Sequence, residues 1–272
     1  MLWRRAAASH HAMVHLRVAS VATRFTACFM SAAAPKPLVT QDQSRNGLIS
    51  IAPGEGVAHT ASFIGPIHGL GDTNMGWADV AAMLHRSLPH IKFVLPNAPT
   101  SPVTLNGGFA MPSWYDITSL DERASQPCAG IEESRDAINA LIEAEMAAGI
   151  PPSRIVVGGF SQGGAMSLFA GLQYPQTLAG VLVMSGYLAK EEAFQVTSEA
   201  KKTPVAHFHG TDDPTVKIEW ARQSVESVKA RGVAQYDFKE YSDMGHSASQ
   251  EEIDDVRAWL ARVLPPLGKE EL

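Results

Sequence analysis

The segment Gly159-Phe160-Ser161-Gln162-Gly163 places a serine between two glycines, where an apolar run gives way to a helical pattern. Ile155–Val157 before it predicts a buried strand, and the residues from Ala165 onward predict the start of a packed helix. A strand that turns directly into a helix strains its corner residue, and only small neighbours tolerate the crowding. The pattern therefore predicts a serine hydroxyl raised clear of the fold at a helix N-terminus, which suits nucleophilic attack on an acyl carbon.

A serine hydroxyl is a weak nucleophile at neutral pH and needs a base that removes its proton as the new bond forms. His246 follows the last predicted strand and is the candidate base. The base in turn needs a carboxylate that fixes its tautomer and stabilises the imidazolium. Asp212 and Asp213 both follow the preceding strand, and we favour Asp213 because Pro214 fixes the turn just beyond it. Asp243 is a weaker alternative, since turn formation explains its position.

The tetrahedral intermediate of acyl transfer also needs hydrogen-bond donors for its oxyanion. The backbone N–H of Gln162, directly after the serine, is one candidate, and the N–H of Leu70 is the other. Glycines on both sides of Leu70 let the backbone approach a substrate closely. We interpret His68 as a buried orienting residue, and His207 and His209 as mainly structural.

Apolar runs of strand length alternate with helical patterns from Ile51 onward, which is typical of a mostly parallel sheet covered by helices on both faces. Strands are predicted from residue 61 and at 91–95, 155–157, 180–184, 204–208 and 235–241, and helices from residue 73, at 132–148, from 165, at 217–230 and at 250–263. Ligands of such sheets bind beyond the carboxyl ends of the strands, where the candidate residues fall. The segment 100–127 has no clean period, and we expect an ordered loop that serves the site.

Composition narrows the class of protein. The 272 residues, 45% of them hydrophobic, are enough for one α/β domain with a full core. The formal net charge is -6, yet the residues before the first acidic residue, Asp42, include several Arg and Lys residues, the last of them Lys36. The chain from Asp42 onward is therefore distinctly acidic, which argues against nucleic acid as a partner. Cys28 and Cys128 are far apart and lack metal-ligand spacing, so we expect no metal site. No apolar run approaches the roughly 20 residues that a transmembrane helix needs.

Residues 1–34 differ in composition from the rest of the chain, being rich in Ala, Ser, Arg and His and free of acidic residues. This composition is closer to an organellar presequence than to a secretory signal, whose apolar core would not contain Arg17 or Arg24. The alternative is an over-long start, with Met30 as the true first residue. We assign residues 1–45 to a leader and 46–268 to the catalytic domain, and expect a cytoplasmic protein, or an organellar one if the leader is a presequence.

The motifs of the chain, taken in order, are more specific together than any one alone. They are His68–Asp72, Pro96–Pro99, Trp114–Asp116, Gly158–Gly164, His209-Gly210 with Asp213-Pro214, and Gly245–Ser247. This set resembles the acyl-protein thioesterase and lysophospholipase family of small α/β-hydrolases, and the resemblance runs from about Ile51 to Pro266. It implies an α/β-hydrolase fold without a large cap domain.

The resemblance also implies roles for individual residues. Ser161 would be the nucleophile, Asp213 the acid and His246 the base, with Leu70 and Gln162 as oxyanion donors. Phe109, Met111 and Trp114 would line an acyl channel. The implied reaction is hydrolysis of long-chain acyl thioesters on proteins, or of related lipid esters, without a cofactor. Transient contact with a membrane surface and a weak homodimer are compatible with that activity.

The chain departs from the family pattern at two places. Gly65-Pro66 falls in a central strand, and because proline has no N–H to donate, we expect an interruption of the ladder there. Asn106-Gly107-Gly108 loosens the channel loop, which leaves the preferred acyl length open. A short-chain carboxylesterase is therefore one alternative. A hydrolase-fold receptor that binds a ligand without turnover is another, although the intact Ser161, Asp213 and His246 count against it.

Overall fold

The computed structural model describes residues 36–119 and 125–268. The predicted leader up to residue 35, with Cys28 and Met30, lies outside the described residues. The strands are β1 (Leu38–Asp42), β2 (Leu48–Ala52), β3 (Ala61–Ile67), β4 (Ile91–Leu95), β5 (Thr100–Val103), β6 (Phe109–Pro112), β7 (Ile155–Phe160), β8 (Gly180–Met184), β9 (Val205–Gly210) and β10 (Tyr236–Tyr241). The α-helices are α1 (Met75–Ser87), α2 (Ile131–Ala147), α3 (Gln162–Gly171), α4 (Ile218–Ala230) and α5 (Gln250–Val263).

Eight of these strands form one central sheet in the order β1-β2-β4-β3-β7-β8-β9-β10. The pairs from β4 to β10 are parallel, whereas β1 pairs with β2 and β2 with β4 in antiparallel orientation. One apolar core, which includes Ile138 of α2 and Val225 of α4, covers one face, and a second core with Leu84 of α1 and Trp259 of α5 covers the other. The predicted α/β-hydrolase fold, a mostly parallel sheet between helices, is confirmed.

The start of the sheet lies earlier than the sequence suggested. Leu38 pairs with Ala52 and Asp42 with Leu48, so β1 belongs to the sheet although we assigned residues 1–45 to the leader. The predicted boundary between leader and catalytic domain at residue 45 is therefore wrong, because strand β1 before it is already part of the sheet. All five side chains of β1 are exposed, so this edge strand has no buried face and leaves no alternating apolar pattern in the sequence.

The segment 100–127 is not the plain loop that we expected. Its first part is a two-stranded hairpin in which Thr100 pairs with Pro112 and Val103 with Phe109. Gly107 and Gly108 have φ angles of 66° and 80° at the turn, a backbone that favours glycine. Only one residue of β5 and none of β6 is buried, so the hairpin lacks the alternation by which a strand is recognised.

The interruption expected at Pro66 is present. β3 pairs with β4 up to Ile64 and with β7 again at Ile67, with a shift of register between those two residues. A Cβ on Gly65 would lie 2.1 Å from the carbonyl oxygen of Gly158, so only glycine fits beside β7. The bulge lets β3 continue to the segment that carries Leu70.

The first turn of α5 holds a buried carboxyl group. Ser249 caps the helix, its Oγ accepting a hydrogen bond from the N–H of Glu252 at 3.1 Å. The Glu252 side chain is fully buried. Burial raises the pKa of Glu252 to about 8, with a smaller contribution from the negative charge of Asp255, while the backbone N–H of Ser249 opposes the shift. The group is therefore protonated in the folded protein at a pH where an unfolded chain would have ionised it.

We expect E252Q to change how stability depends on pH. Above the ordinary Glu value of 4.5 the unfolded chain releases this proton while the folded chain keeps it up to about 8, so wild-type stability falls as pH rises. Relative to E252Q, the wild-type free energy of unfolding should fall by about 3 kcal/mol between about pH 5.5 and about pH 7.5. Urea unfolding at both pH values measures this, with the exposed E226Q as control. An equal difference at both pH values would contradict the assignment.

Candidate active site

Ser161 lies at the corner between β7 and α3, as predicted. Its φ of 56° and ψ of −121° are unusual for a residue with a side chain, and its N–H donates to the carbonyl of Met184 at 2.9 Å. A Cβ on Gly159 would lie 2.6 Å from the backbone of Gly163, and one on Gly163 would lie 2.0 Å from the carbonyl oxygen of Ile67. The glycines therefore let the corner close tightly against the end of β3.

The candidate base and acid meet this serine. His246 Nε2 lies 2.9 Å from Ser161 Oγ, and His246 Nδ1 lies 2.6 Å from Asp213 Oδ2. Because a carboxylate can only accept, Nδ1 carries the proton and donates it, which leaves the lone pair of Nε2 to accept from the serine hydroxyl. Ser161 follows β7, Asp213 follows β9 and His246 follows β10, so the carboxyl ends of three parallel strands bring the three side chains together.

The structure separates the three candidate acids. Asp213 is buried, and its Oδ1 accepts hydrogen bonds from the backbone N–H groups of Thr215 and Val216, both at 2.8 Å. Asp212 is exposed and accepts from the Thr211 hydroxyl, while Asp243 is exposed at a φ of 58° in a turn. Only Asp213 of the three contacts the imidazole of His246.

His209 packs under this carboxylate. Its Nε2 lies 2.7 Å from the carbonyl oxygen of Val216 and 3.6 Å from Asp213 Oδ2, and its side chain is fully buried. Burial holds the pKa of His209 below its usual range, although the Val216 carbonyl and the Asp213 carboxylate oppose that shift. A neutral His209 therefore supports the loop that carries Asp213.

The two candidate oxyanion donors flank the serine. A Cβ on Gly69 would lie 3.2 Å from Ser161 Cβ, so the turn that carries Leu70 lies directly against the serine. No acceptor for the Leu70 N–H is found within the described part of the chain. Gln162 opens α3, and the first N–H of a helix has no partner inside the helix. Both N–H groups are thus available beside Ser161.

The side chain of Gln162 has a second role that the sequence did not reveal. Its Oε1 accepts from the N–H of Trp114 at 3.0 Å, and its Nε2 donates to the carbonyl of Tyr115 at 2.8 Å and to Ser113 Oγ at 3.2 Å. One residue therefore supplies a candidate oxyanion donor and also anchors the segment after β6. In the sequence, only the presence of a polar amide at the start of an otherwise apolar helix hints at this anchoring role.

The predicted channel residues occupy different environments. Phe109 is 70% exposed at the start of β6, and Met111 is partly buried with its sulfur 3.6 Å from the Cβ position of Gly71. Trp114 is buried and donates from Nε1 to the carbonyl of His68 at 2.9 Å. Met111 thus lies beside the oxyanion turn, Trp114 binds the residue at the start of that turn, and Phe109 is largely exposed to solvent.

Within residues 36–119 and 125–268, no cluster of three or more His, Cys, Asp or Glu side chains has a geometry that could hold a metal ion. No helix there is both long enough and apolar enough to cross a membrane.

Known proteins are similar to this chain in sequence and in fold. An acyl-protein thioesterase 1 of Mycosarcoma maydis is 44% identical over 231 residues, which cover 79% of this chain and 96% of the relative. Acyl-protein thioesterase 1 homolog 1 of Dictyostelium discoideum is 41% identical over 201 residues, which cover 73% of this chain and 88% of the relative.

Among solved structures, Arabidopsis thaliana SOBER1 superposes with a TM-score of 0.69 at 33% identity and covers 76% of this chain and all of that one. Zea mays acyl-protein thioesterase 2 gives a TM-score of 0.68 at 29% identity, covering 80% and 98%. Residues 56–264 match the profile of the phospholipase/carboxylesterase family. The chain belongs to the phospholipase/carboxylesterase family of α/β-hydrolases.

Proposed function

We propose that this protein is a serine hydrolase that cleaves long-chain acyl thioesters on proteins, and related lipid or carboxylic esters, through an acyl-enzyme. The observation that carries the proposal is the continuous line of hydrogen bonds from Ser161 through His246 to Asp213. The thioester substrate is supported by relatives named acyl-protein thioesterases, which are 41% to 44% identical and are covered over most of their length.

In the acylation step, Ser161 Oγ attacks the thioester carbonyl carbon as its proton passes to His246 Nε2. The imidazolium that forms keeps its Nδ1–H bond to Asp213, whose negative charge stabilises it. The oxyanion of the tetrahedral intermediate accepts from the N–H groups of Leu70 and Gln162. When the intermediate collapses, the C–S bond breaks and the sulfur takes the proton from His246 Nε2, so a thiol leaves and His246 is neutral again.

In the deacylation step, water takes the place of the thiol. His246 Nε2 removes a proton from the water as its oxygen attacks the acyl carbon, and the same two N–H groups stabilise the second oxyanion. Collapse breaks the bond between the acyl carbon and Ser161 Oγ, and His246 returns the proton to the serine. The fatty acid is released and the site regains its starting protonation state.

We expect S161A to abolish the release of thiol from a palmitoyl thioester. Removing the nucleophile of a triad typically lowers kcat by about 10^6-fold. The assay follows free thiol, and labelling by a fluorophosphonate probe reports the same serine. S242A, an exposed serine in the loop before His246, is the matched control and should keep wild-type rates. Undiminished turnover by S161A would overturn the proposal.

Replacing the two neighbouring aspartates one at a time tests the assignment of the acid. D213N should lower kcat by about 10^4-fold, because an amide in this position favours the wrong imidazole tautomer. D212N should stay close to wild type, since the Asp212 side chain is exposed and accepts only from the Thr211 hydroxyl among the described residues. A larger loss in D212N than in D213N would show that the acid is misassigned.

The alternative reactions differ in their dependence on acyl length. Because each buried methylene contributes about 0.8 kcal/mol, an enzyme with an acyl site should show kcat/KM rising from butyryl to octanoyl to palmitoyl thioesters. Steady-state kinetics on the three thioesters below their micelle concentrations measures this. A maximum at butyryl would favour the short-chain carboxylesterase. Binding of all three without thiol release or probe labelling would favour the non-catalytic receptor.

The proposal extends to the substrates of the protein, its contacts and its location in the cell. S-acylated proteins are the proposed substrates, with transient contact at a membrane surface where such proteins reside, and a weak homodimer is compatible with that. We propose the cytoplasm as the place of action, or an organelle if residues 1–34 act as a presequence.

A further inference from the structure

His68, at the end of β3, is fully buried, and both of its ring nitrogens have partners. Nε2 accepts a hydrogen bond from the backbone N–H of Ala98 at 3.0 Å. Nδ1 lies 2.8 Å from the carbonyl oxygen of the adjacent residue, Gly69. The imidazole is therefore clamped between the segment after β4 and the turn that carries Leu70.

These partners fix the protonation state of the ring. A backbone N–H can only donate, so Nε2 must present a lone pair to Ala98 and carries no proton. A carbonyl oxygen can only accept, so Nδ1 carries the proton and donates it to Gly69. Burial holds the pKa of His68 below its usual range, although the Gly69 carbonyl and the Asp72 charge oppose that shift, so the ring is neutral at neutral pH.

The bond to Gly69 has a consequence for the next N–H group. In a planar trans peptide the C=O of one residue and the N–H of the following residue point in opposite directions. The Gly69 carbonyl and the Leu70 N–H belong to the same peptide unit. Pulling the carbonyl towards the buried imidazole therefore turns the Leu70 N–H the other way, and the Leu70 N–H has no acceptor among the described residues.

We propose that His68 is a positioning residue for hydrolysis: in its neutral form, protonated on Nδ1, it fixes the plane of the Gly69–Leu70 peptide and so aims the Leu70 N–H at the oxyanion. This inference rests on the proposed function. His68 does not touch the reacting atoms, and it acts through the backbone.

The surroundings of His68 hold the imidazole at a fixed position. Asn46 Nδ2, in the turn between β1 and β2, donates to the carbonyl of Ala98 at 3.1 Å and steadies the residue whose N–H binds Nε2. On the other side, the N–H of Gly71 donates to the carbonyl of Pro112 at 2.8 Å. The Gly69 carbonyl also accepts a turn bond from the N–H of Asp72 at 3.3 Å, longer than the 2.8 Å bond from His68, so both bonds hold the peptide and the shorter one comes from the imidazole.

The test compares H68N with H68L, two side chains of nearly equal size. Both lose the acceptor for Ala98, so they share that cost in stability, but only asparagine keeps an N–H close to the position of Nδ1. We expect H68L to lower kcat on a palmitoyl thioester by about 10- to 100-fold with KM within about threefold, since removing a whole oxyanion donor costs 10²- to 10³-fold. H68N should recover at least about fivefold of that loss.

The same two variants distinguish positioning from a general structural role. The rate of fluorophosphonate labelling should fall and recover in parallel with kcat, while circular dichroism stays unchanged. Equal kcat in folded H68N and H68L would overturn the inference. If S161A is inactive while both His68 variants match wild type, the inference fails and the proposed function stands; if S161A stays active, the proposed function itself fails.

A measurement on the wild-type protein covers the case in which neither variant folds. In ¹⁵N-histidine spectra, the His68 ring should show a protonated Nδ1 and an unprotonated Nε2 at every pH from about 7 to about 8. A proton on Nε2, or titration within that range, would contradict the proposed role.

Discussion

The site depends on how closely the corner at Ser161 approaches the end of β3. A Cβ on Gly163 would lie 2.0 Å from the carbonyl oxygen of Ile67 and 2.7 Å from that of His68. Because β3 and β7 are neighbouring parallel strands, their carboxyl ends emerge side by side, and glycine removes the atom that would hold them apart. The nucleophile and the turn with the Leu70 N–H are thus brought together by one contact.

A second serine–histidine pair shows why proximity alone does not make a nucleophile. Ser62 Oγ lies 2.9 Å from His59 Nε2, much as Ser161 does from His246, but Ser62 donates its proton to Glu145 at 2.7 Å and so accepts from the histidine. Lys92 neutralises Glu145 at 2.6 Å, and Ser62 is fully buried. At Ser161 the hydroxyl donates to the imidazole instead, and the direction of that bond makes it a candidate for activation.

Sequence predicted the parts of the structure that leave a local pattern. The strand-to-helix corner at Ser161, the helical periods and the polar residues after strands β9 and β10 all carried such a signal. Two elements lacked it, since β1 and the β5–β6 hairpin bury almost none of their side chains. The hydrogen bonds that His68 and Gln162 make to residues 30 and 48 positions away were also invisible, because only the folded sheet brings those partners together.

The acid end of the site shows how a buried charge is held where no lysine or arginine of the described residues pairs with it. Asp213 accepts two backbone N–H bonds at Oδ1 and the His246 bond at Oδ2, and the neutral His209 lies 3.6 Å from Oδ2. Backbone N–H groups stabilise the carboxylate without adding a net charge. A fixed cation beside it would weaken the carboxylate's attraction for the imidazolium. The loop after β9 therefore keeps the negative charge available for the moment at which His246 becomes positive.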